Sequence, residues 1–180
     1  MANLCNLDGS IMPEAEARIS VLDRGFLFGD SVYEVLRTAG DVPFAWPEHY
    51  ERLCASAAAI RLGLDLSEAA AARRVAATLA ARDHGDSYVR VIVTRGTGSA
   101  PNIGLDCAPG PPCWVVLVRP APEVVGKTAK VAIVDRLRND RRALDPATKS
   151  GNYLNNVLAL AEARAQGATD CLMANAAGNI

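Results

Sequence analysis

The spacing of hydrophobic and polar residues changes period several times along the chain, and each change marks an element. "SYVRVIVTRG" alternates at period two. That predicts a strand with Tyr88, Arg90, Ile92 and Thr94 on one face and Val89, Val91 and Val93 on the other. "SVYEVLRTAGDVPFAW" holds two strand-like runs around Ala39-Gly40-Asp41, a hairpin pattern in which Tyr33 points opposite to Val32 and Glu34. "ANLCNLDGSIMP" reads as strand, Asp8-Gly9 turn, strand, and "EARISVLD" continues extended. "RGFLFGD", with Gly25 and Gly29, reads as a loop.

The period then lengthens. In "PEHYERLCASAAAIRLG", Tyr50, Leu53, Cys54, Ala57 and Ile60 fall at helical spacing, with Pro47 in the first turn and Gly63 closing the helix. Ser67 is an N-cap candidate for "EAAAARRVAATLAARD". After the strand at Tyr88 comes a long Gly/Pro loop, "TGSAPNIGLDCAPGPP", then a buried strand, "CWVVLVR". "PAPEVVGKT" reads as a linker. Beyond it follow a strand in "AKVAIVDRLRND", an amphipathic helix in "YLNNVLALAEARAQG" ended by Gly167, a strand in "TDCLMAN" and a turn in "NAAG". Strands, two helices, strands, linker, strand, helix, strand make an α+β chain with a boundary at residues 119–125.

Composition narrows the picture. The 180 residues suit one large domain or two small ones, half are hydrophobic, and 22% are charged, which is ordinary globular usage. A net charge of −1 gives no broad surface for nucleic acid or membrane, although local basic groups suffice for a small anion. The five cysteines are odd in number and lack a CxxC spacing, so reduced thiols in a cytoplasmic protein fit better than disulfides or zinc. "MANLCNLDGS" has no signal-peptide pattern, no apolar run approaches the ~20 residues of a membrane span, and His49 and His84 make no metal centre by themselves.

Four constellations carry candidate chemistry. Lys149 lies in "DPATKSGNYLNN", a polar turn just before a helix. A turn lysine is ordinarily a solvated surface group, but a partly enclosed amine loses its proton more easily, as a Schiff-base lysine must. Arg52 in "EHYERL" is either a solvated helical arginine or a fork for a phosphate. Tyr33 is either packed or a hydroxyl for a carboxylate. Tyr88 and Arg90, on one face of a strand, are either an edge pair reaching water or a receptor for an α-carboxylate.

Taken together, "LDRGFLFGDSVYEVLR", "EHYERL…SA", "YVRVIVTRG", "DPATKSGNYLNNVLALAEA" and "NAAGNI" resemble, in order, segments of the class IV (fold type IV) pyridoxal-phosphate aminotransferases. That group includes branched-chain and D-amino-acid aminotransferases, R-selective amine transaminases and aminodeoxychorismate lyase. The resemblance implies a two-domain α+β fold. Residues 1–118 would be the small N-terminal α/β domain and 126–180 the start of a larger, here incomplete, C-terminal α/β domain. It implies pyridoxal 5′-phosphate held between the domains in a homodimer, with Lys149 as the Schiff-base lysine and Arg52 on the phosphate. Tyr33, Tyr88 and Arg90 would lie near the substrate carboxylate. The implied activity is amino transfer between an amino acid and a 2-oxo acid. The alternatives are aminodeoxychorismate lyase, or an inactive truncated member, since the family's glutamate for the pyridinium nitrogen would fall beyond Ile180. Subgroup signals diverge. The loop "TGSAPNIGLD" lacks the Arg-x-His pair of D-amino-acid enzymes, Asn152 resembles the D-amino-acid and lyase groups, and Arg90 stands where R-selective amine transaminases carry an acid.

Overall fold

A computed structural model describes residues 3–124 and 126–180. Met1, Ala2 and Val125, the last residue of the expected linker, lie outside the described residues. Two compact units are present. The first runs to Pro122 and includes Lys149–Gly151, and the second takes Glu123–Thr148 and Asn152–Ile180.

The first unit is a six-stranded antiparallel sheet. Asp8 and Gly9 take φ of 50° and 100°, the left-handed pair a two-residue hairpin turn needs. Strands β1 (Leu4–Leu7) and β2 (Ser10–Pro13) therefore pair directly. The expected extended run after them is instead a 3-10 turn, Glu14–Glu16, followed by irregular backbone and turns, with Glu14 drawn to Arg119 by an ion pair. "RGFLFGD" is not a loop but a short helix, α1 (Arg24–Phe28). Asp23 caps it by accepting from the Gly25 and Phe26 N–H groups, and Gly29 ends it at φ 66°. Cap chemistry at both ends outweighs the low helix propensity of Gly25.

β3 (Ser31–Ala39) and β4 (Val42–Pro43) form the expected hairpin. Two helices follow, α2 (Trp46–Ala59) and α3 (Glu68–Ala80), the latter capped by Ser67 as expected. α2 stops at Ala59 rather than Gly63. The Ile60 and Arg61 carbonyls just past its end accept from the Arg95 guanidinium at 2.8 Å each, so no glycine cap is needed there. β5 (Ser87–Thr94) and β6 (Cys113–Pro120) complete the sheet, in the order β2-β1-β6-β5-β3-β4. Val32, Leu36, Val89, Val91, Val93, Trp114, Val116 and Val118 form one buried cluster with Leu53, Ala57, Val75 and Leu79 of the helices. Each large apolar side chain buried there contributes about 1.5–3 kcal/mol. Tyr33, Arg90 and Ile92 alternate out of that core, onto the other face.

In the second unit β7 (Val131–Val134) and β8 (Asp170–Met173) pair in parallel. A parallel pair needs a crossover, and α4 (Leu154–Ala165) lies within it. Val134, Ala159, Ala163 and Ala168 form a small core. After β8, Asn175 closes a turn, its N–H donating to the Asn179 carbonyl. Among the described residues no helix is long and apolar enough to cross a membrane.

Candidate active site

Lys149–Gly151 adds to the edge of β3. The Tyr33 N–H donates to the Lys149 carbonyl at 3.0 Å, the Gly151 N–H donates to the Ser31 carbonyl at 2.8 Å, and Ser150 bridges Val32. Gly151 is required by closeness. A Cβ there would strike Ser31 Oγ and lie 3.2 Å from the Gly29 carbonyl oxygen. The Lys149 N–H, in turn, donates to Ser56 Oγ at 3.1 Å. Ser56 lies four residues after Arg52, on the same face of α2. The backbone of the lysine is thus pinned at once to β3 and to the helix that carries Arg52.

The Lys149 side chain runs over the Tyr33 ring, with Nζ 4.4 Å from its centroid. Arg90 meets the same ring, with Cζ at 4.1 Å. Both cations gain from the ring's electron-rich π system. Tyr33 is buried, and it is the ring that receives both groups. Arg90 Nε is buried and has no hydrogen-bond partner among the described residues. A desolvated guanidinium N–H left unpaired is costly, and a carboxylate is the acceptor that suits it best. Tyr88 shares this face, opposite Arg37 of β3 and Arg119 of β6, two residues along the strand from Arg90.

The opposite face of β3 holds an acid in the core. The Glu34 side chain is 1% exposed, yet it lies between Val32 and Leu36 on the face packed by helices. It accepts from Arg52 Nε and Nη2 at 2.6 Å each, and its Oε2 lies 2.8 Å from His49 Nδ1. Burial works to raise the Glu34 carboxyl, but the Arg52 and His49 hydrogen bonds and charges outweigh it and hold the group below the usual range. The Arg52 side chain is 54% exposed, and its Nη1 has no partner among the described residues.

A second carboxylate, Asp30, sits between Arg24 and Arg95. It accepts from Arg24 Nε at 2.9 Å, Arg95 Nε at 2.7 Å and Arg95 Nη2 at 2.9 Å. Arg24 also donates to the Asn102 and Ile103 carbonyls, so this cluster ties the long loop to α1 and to the end of α2. Burial again opposes ionisation, and the two arginines hold the Asp30 carboxyl low.

Sequence reasoning singles out Lys149, Tyr33, Arg90 and Arg52, and the structure gathers the first three on one ring. It passes over Glu34, His49, Ser56 and Asp30. Glu34 does leave a signal: alternation assigns it the core-facing side between Val32 and Leu36, and a charge there calls for a partner.

The model of the family described as amino-transferase class IV matches residues 31–180, and the chain belongs to that family. A putative branched-chain-amino-acid aminotransferase of Methanocaldococcus jannaschii is 36% identical over 93% of this chain and 58% of its own length. A D-alanine aminotransferase of Listeria monocytogenes is 30% identical, with the same coverage of both chains. The branched-chain aminotransferase of Thermoproteus uzoniensis, solved with norvaline, superposes with a TM-score of 0.86 at 27% identity, over 99% of this chain and 61% of that one. The T.th. branched-chain amino acid aminotransferase with pyridoxamine 5′-phosphate gives 0.85 at 27% identity, over 99% and 60%. The fold is therefore fold type IV, and the chain spans about three-fifths of the length of these relatives.

Proposed function

We propose that the chain carries the lysine side of a pyridoxal-phosphate aminotransferase site, moving an amino group between an amino acid and a 2-oxo acid. One observation carries the reading: the Lys149 amine and the Arg90 guanidinium, with its unpaired Nε, lie against a single tyrosine ring. This donor set fits the cofactor. Lys149 offers an amine for an aldehyde, and the open Nη1 edge of Arg52, one helical turn before the residue that pins Lys149, offers a grip for a phosphate. When bound, pyridoxal 5′-phosphate supplies that aldehyde and a ring that draws electrons from the substrate's α-carbon.

The residues divide the work. Lys149 Nζ would be the base that takes and holds the proton of the substrate's α-carbon, its backbone fixed by Ser56 and Tyr33. Tyr33 backs the amine and limits its swing. Arg90 receives the α-carboxylate and so orients the α-hydrogen towards Lys149, with Tyr88 beside it on the same face. Arg52 anchors the far end of the cofactor. Residues 1–118 and 126–180 are, on this reading, the two domains of the fold.

Lys149→Ala is expected to abolish amino transfer and to remove the visible band that borohydride bleaches in the cofactor-loaded wild type, while the far-UV spectrum stays the same. Amino transfer at wild-type rate in the variant overturns the assignment.

A further inference from the structure

We propose that Glu34 and His49 are positioning residues that aim the outer edge of Arg52 at a phosphate group. The inference rests on the reading of Arg52 above and adds the two residues that prepare it.

Glu34 is poorly placed for stability alone. A carboxylate taken into a core loses several kcal/mol of hydration, and an apolar residue of similar size commonly does as well or better. Its main partner, the Arg52 guanidinium, is more than half exposed, where an ion pair contributes least. What the pair does achieve is orientation. Bonds from Nε and Nη2 to the two oxygens of one carboxylate fix the guanidinium plane. The bonded edge faces inward, Nη2 also lies 3.3 Å from His49 Nδ1, and Nη1 is left for an outside anion. The rotamer freedom of a long side chain is then lost on folding rather than on binding.

His49 completes the device. It lies three residues before Arg52, a neighbour on the helix surface. Its Nδ1 is 2.8 Å from Glu34 Oε2, the oxygen that also receives Arg52 Nη2. Held from two sides, the carboxylate cannot swing out with the arginine. The Arg52 turn of α2 is followed by Ser56, which pins the Lys149 backbone. One helix face thereby sets both the phosphate grip and the position of the lysine.

The test compares the dissociation constants of the apo-protein for pyridoxal 5′-phosphate and for pyridoxal, which lacks the phosphate. Their ratio reads the phosphate grip. Inorganic phosphate, as a competitor, gives a reading independent of the carbonyl. Glu34→Gln, close to isosteric, is expected to weaken pyridoxal 5′-phosphate binding on the order of tenfold or more. Pyridoxal binding should stay nearly constant and inorganic phosphate should compete less well. An unchanged ratio in Glu34→Gln, with a collapsed ratio in Arg52→Ala, overturns the positioning role and leaves Arg52 as the phosphate residue. An unchanged ratio in both variants overturns the reading of Arg52 itself. His49→Phe keeps the volume and removes the ring nitrogen, and it serves if Glu34→Gln does not fold. A loss of about three- to tenfold in the same ratio is expected, and no loss overturns the proposal.

Discussion

Two carboxylates of the first unit, Asp30 and Glu34, are each clasped by two basic side chains, and the clasps differ in how they end. Around Asp30 the arginines are closed off. Arg24 and Arg95 side chains are 3% and 10% exposed, and every nitrogen of each makes a hydrogen bond, to Asp30 or to the carbonyls of Asn102, Ile103, Ile60 and Arg61. Around Glu34 the acid is more deeply buried, yet its arginine opens to solvent with an edge unused. A buried arginine with every nitrogen bonded to the chain holds segments together. An arginine with a fixed plane and a free edge is ready for a ligand. Arg90 is a third case, a guanidinium stacked on Tyr33 with a buried N–H still unpaired.

The largest effect is expected at the closed clasp. Asp30→Asn strands two buried arginines and should lower unfolding free energy by about 3–5 kcal/mol, read as a lower urea midpoint. The ratio of pyridoxal 5′-phosphate to pyridoxal affinity in the fraction still folded should hold. A variant that keeps its midpoint but loses that ratio would reverse the comparison. Next, if Arg90 receives the substrate carboxylate as proposed, Arg90→Ala should raise KM for amino acids by about tenfold or more. KM for 1-phenylethylamine, which has no carboxylate, should change little. Equal shifts for both substrates would make Arg90 a packing residue.

The smallest effect concerns pH and treats both clasps alike. Each carboxyl is held below its ordinary value in the folded chain. Groups depressed in this way contribute stability that is fully present above the unfolded carboxylate range, about pH 4, and is lost as pH falls through the folded values beneath it. The urea midpoint should be level from neutrality to about pH 5 and then decline. The decline should be shallower in Asp30→Asn, which has one such group fewer. A midpoint already falling between pH 7 and about 5 contradicts the assignment to these acids.

Regular elements are largely legible because their signals are local. Alternation at residues 87–94, the Asp8-Gly9 pair, Ser67 and Gly167 each act within a few residues of themselves. α1 reads as a loop because its two glycines mask a cap at Asp23. The end of α2 reads too late because the carbonyls there are satisfied by Arg95, far along the chain. The site divides in the same way. Lys149, Arg52 and Arg90 stand out as reactive or charged groups in recognisable surroundings, whereas Asp30 gains meaning only from partners on other elements, and Glu34 shows in the alternation only that it needs a partner, not which one. The sequence draws attention to the Tyr33 hydroxyl, but packing makes its ring the contact, and no local pattern distinguishes the two.

The addition of Lys149–Gly151 to the edge of β3 has a consequence for assembly. The strand and the lysine are far apart along the chain, so their pairing closes a long loop. Loop closure of that kind is entropically costly and comes late unless intervening structure has already shortened the path. β5 holds β3 from its other side and Ser56 of α2 holds the Lys149 N–H, so the lysine's place depends on elements from the sheet and a helix together. The amine's contact with the Tyr33 ring therefore depends on this long-range pairing and not on the local turn. The environment of that one side chain is thus expected to report whether the first unit has folded.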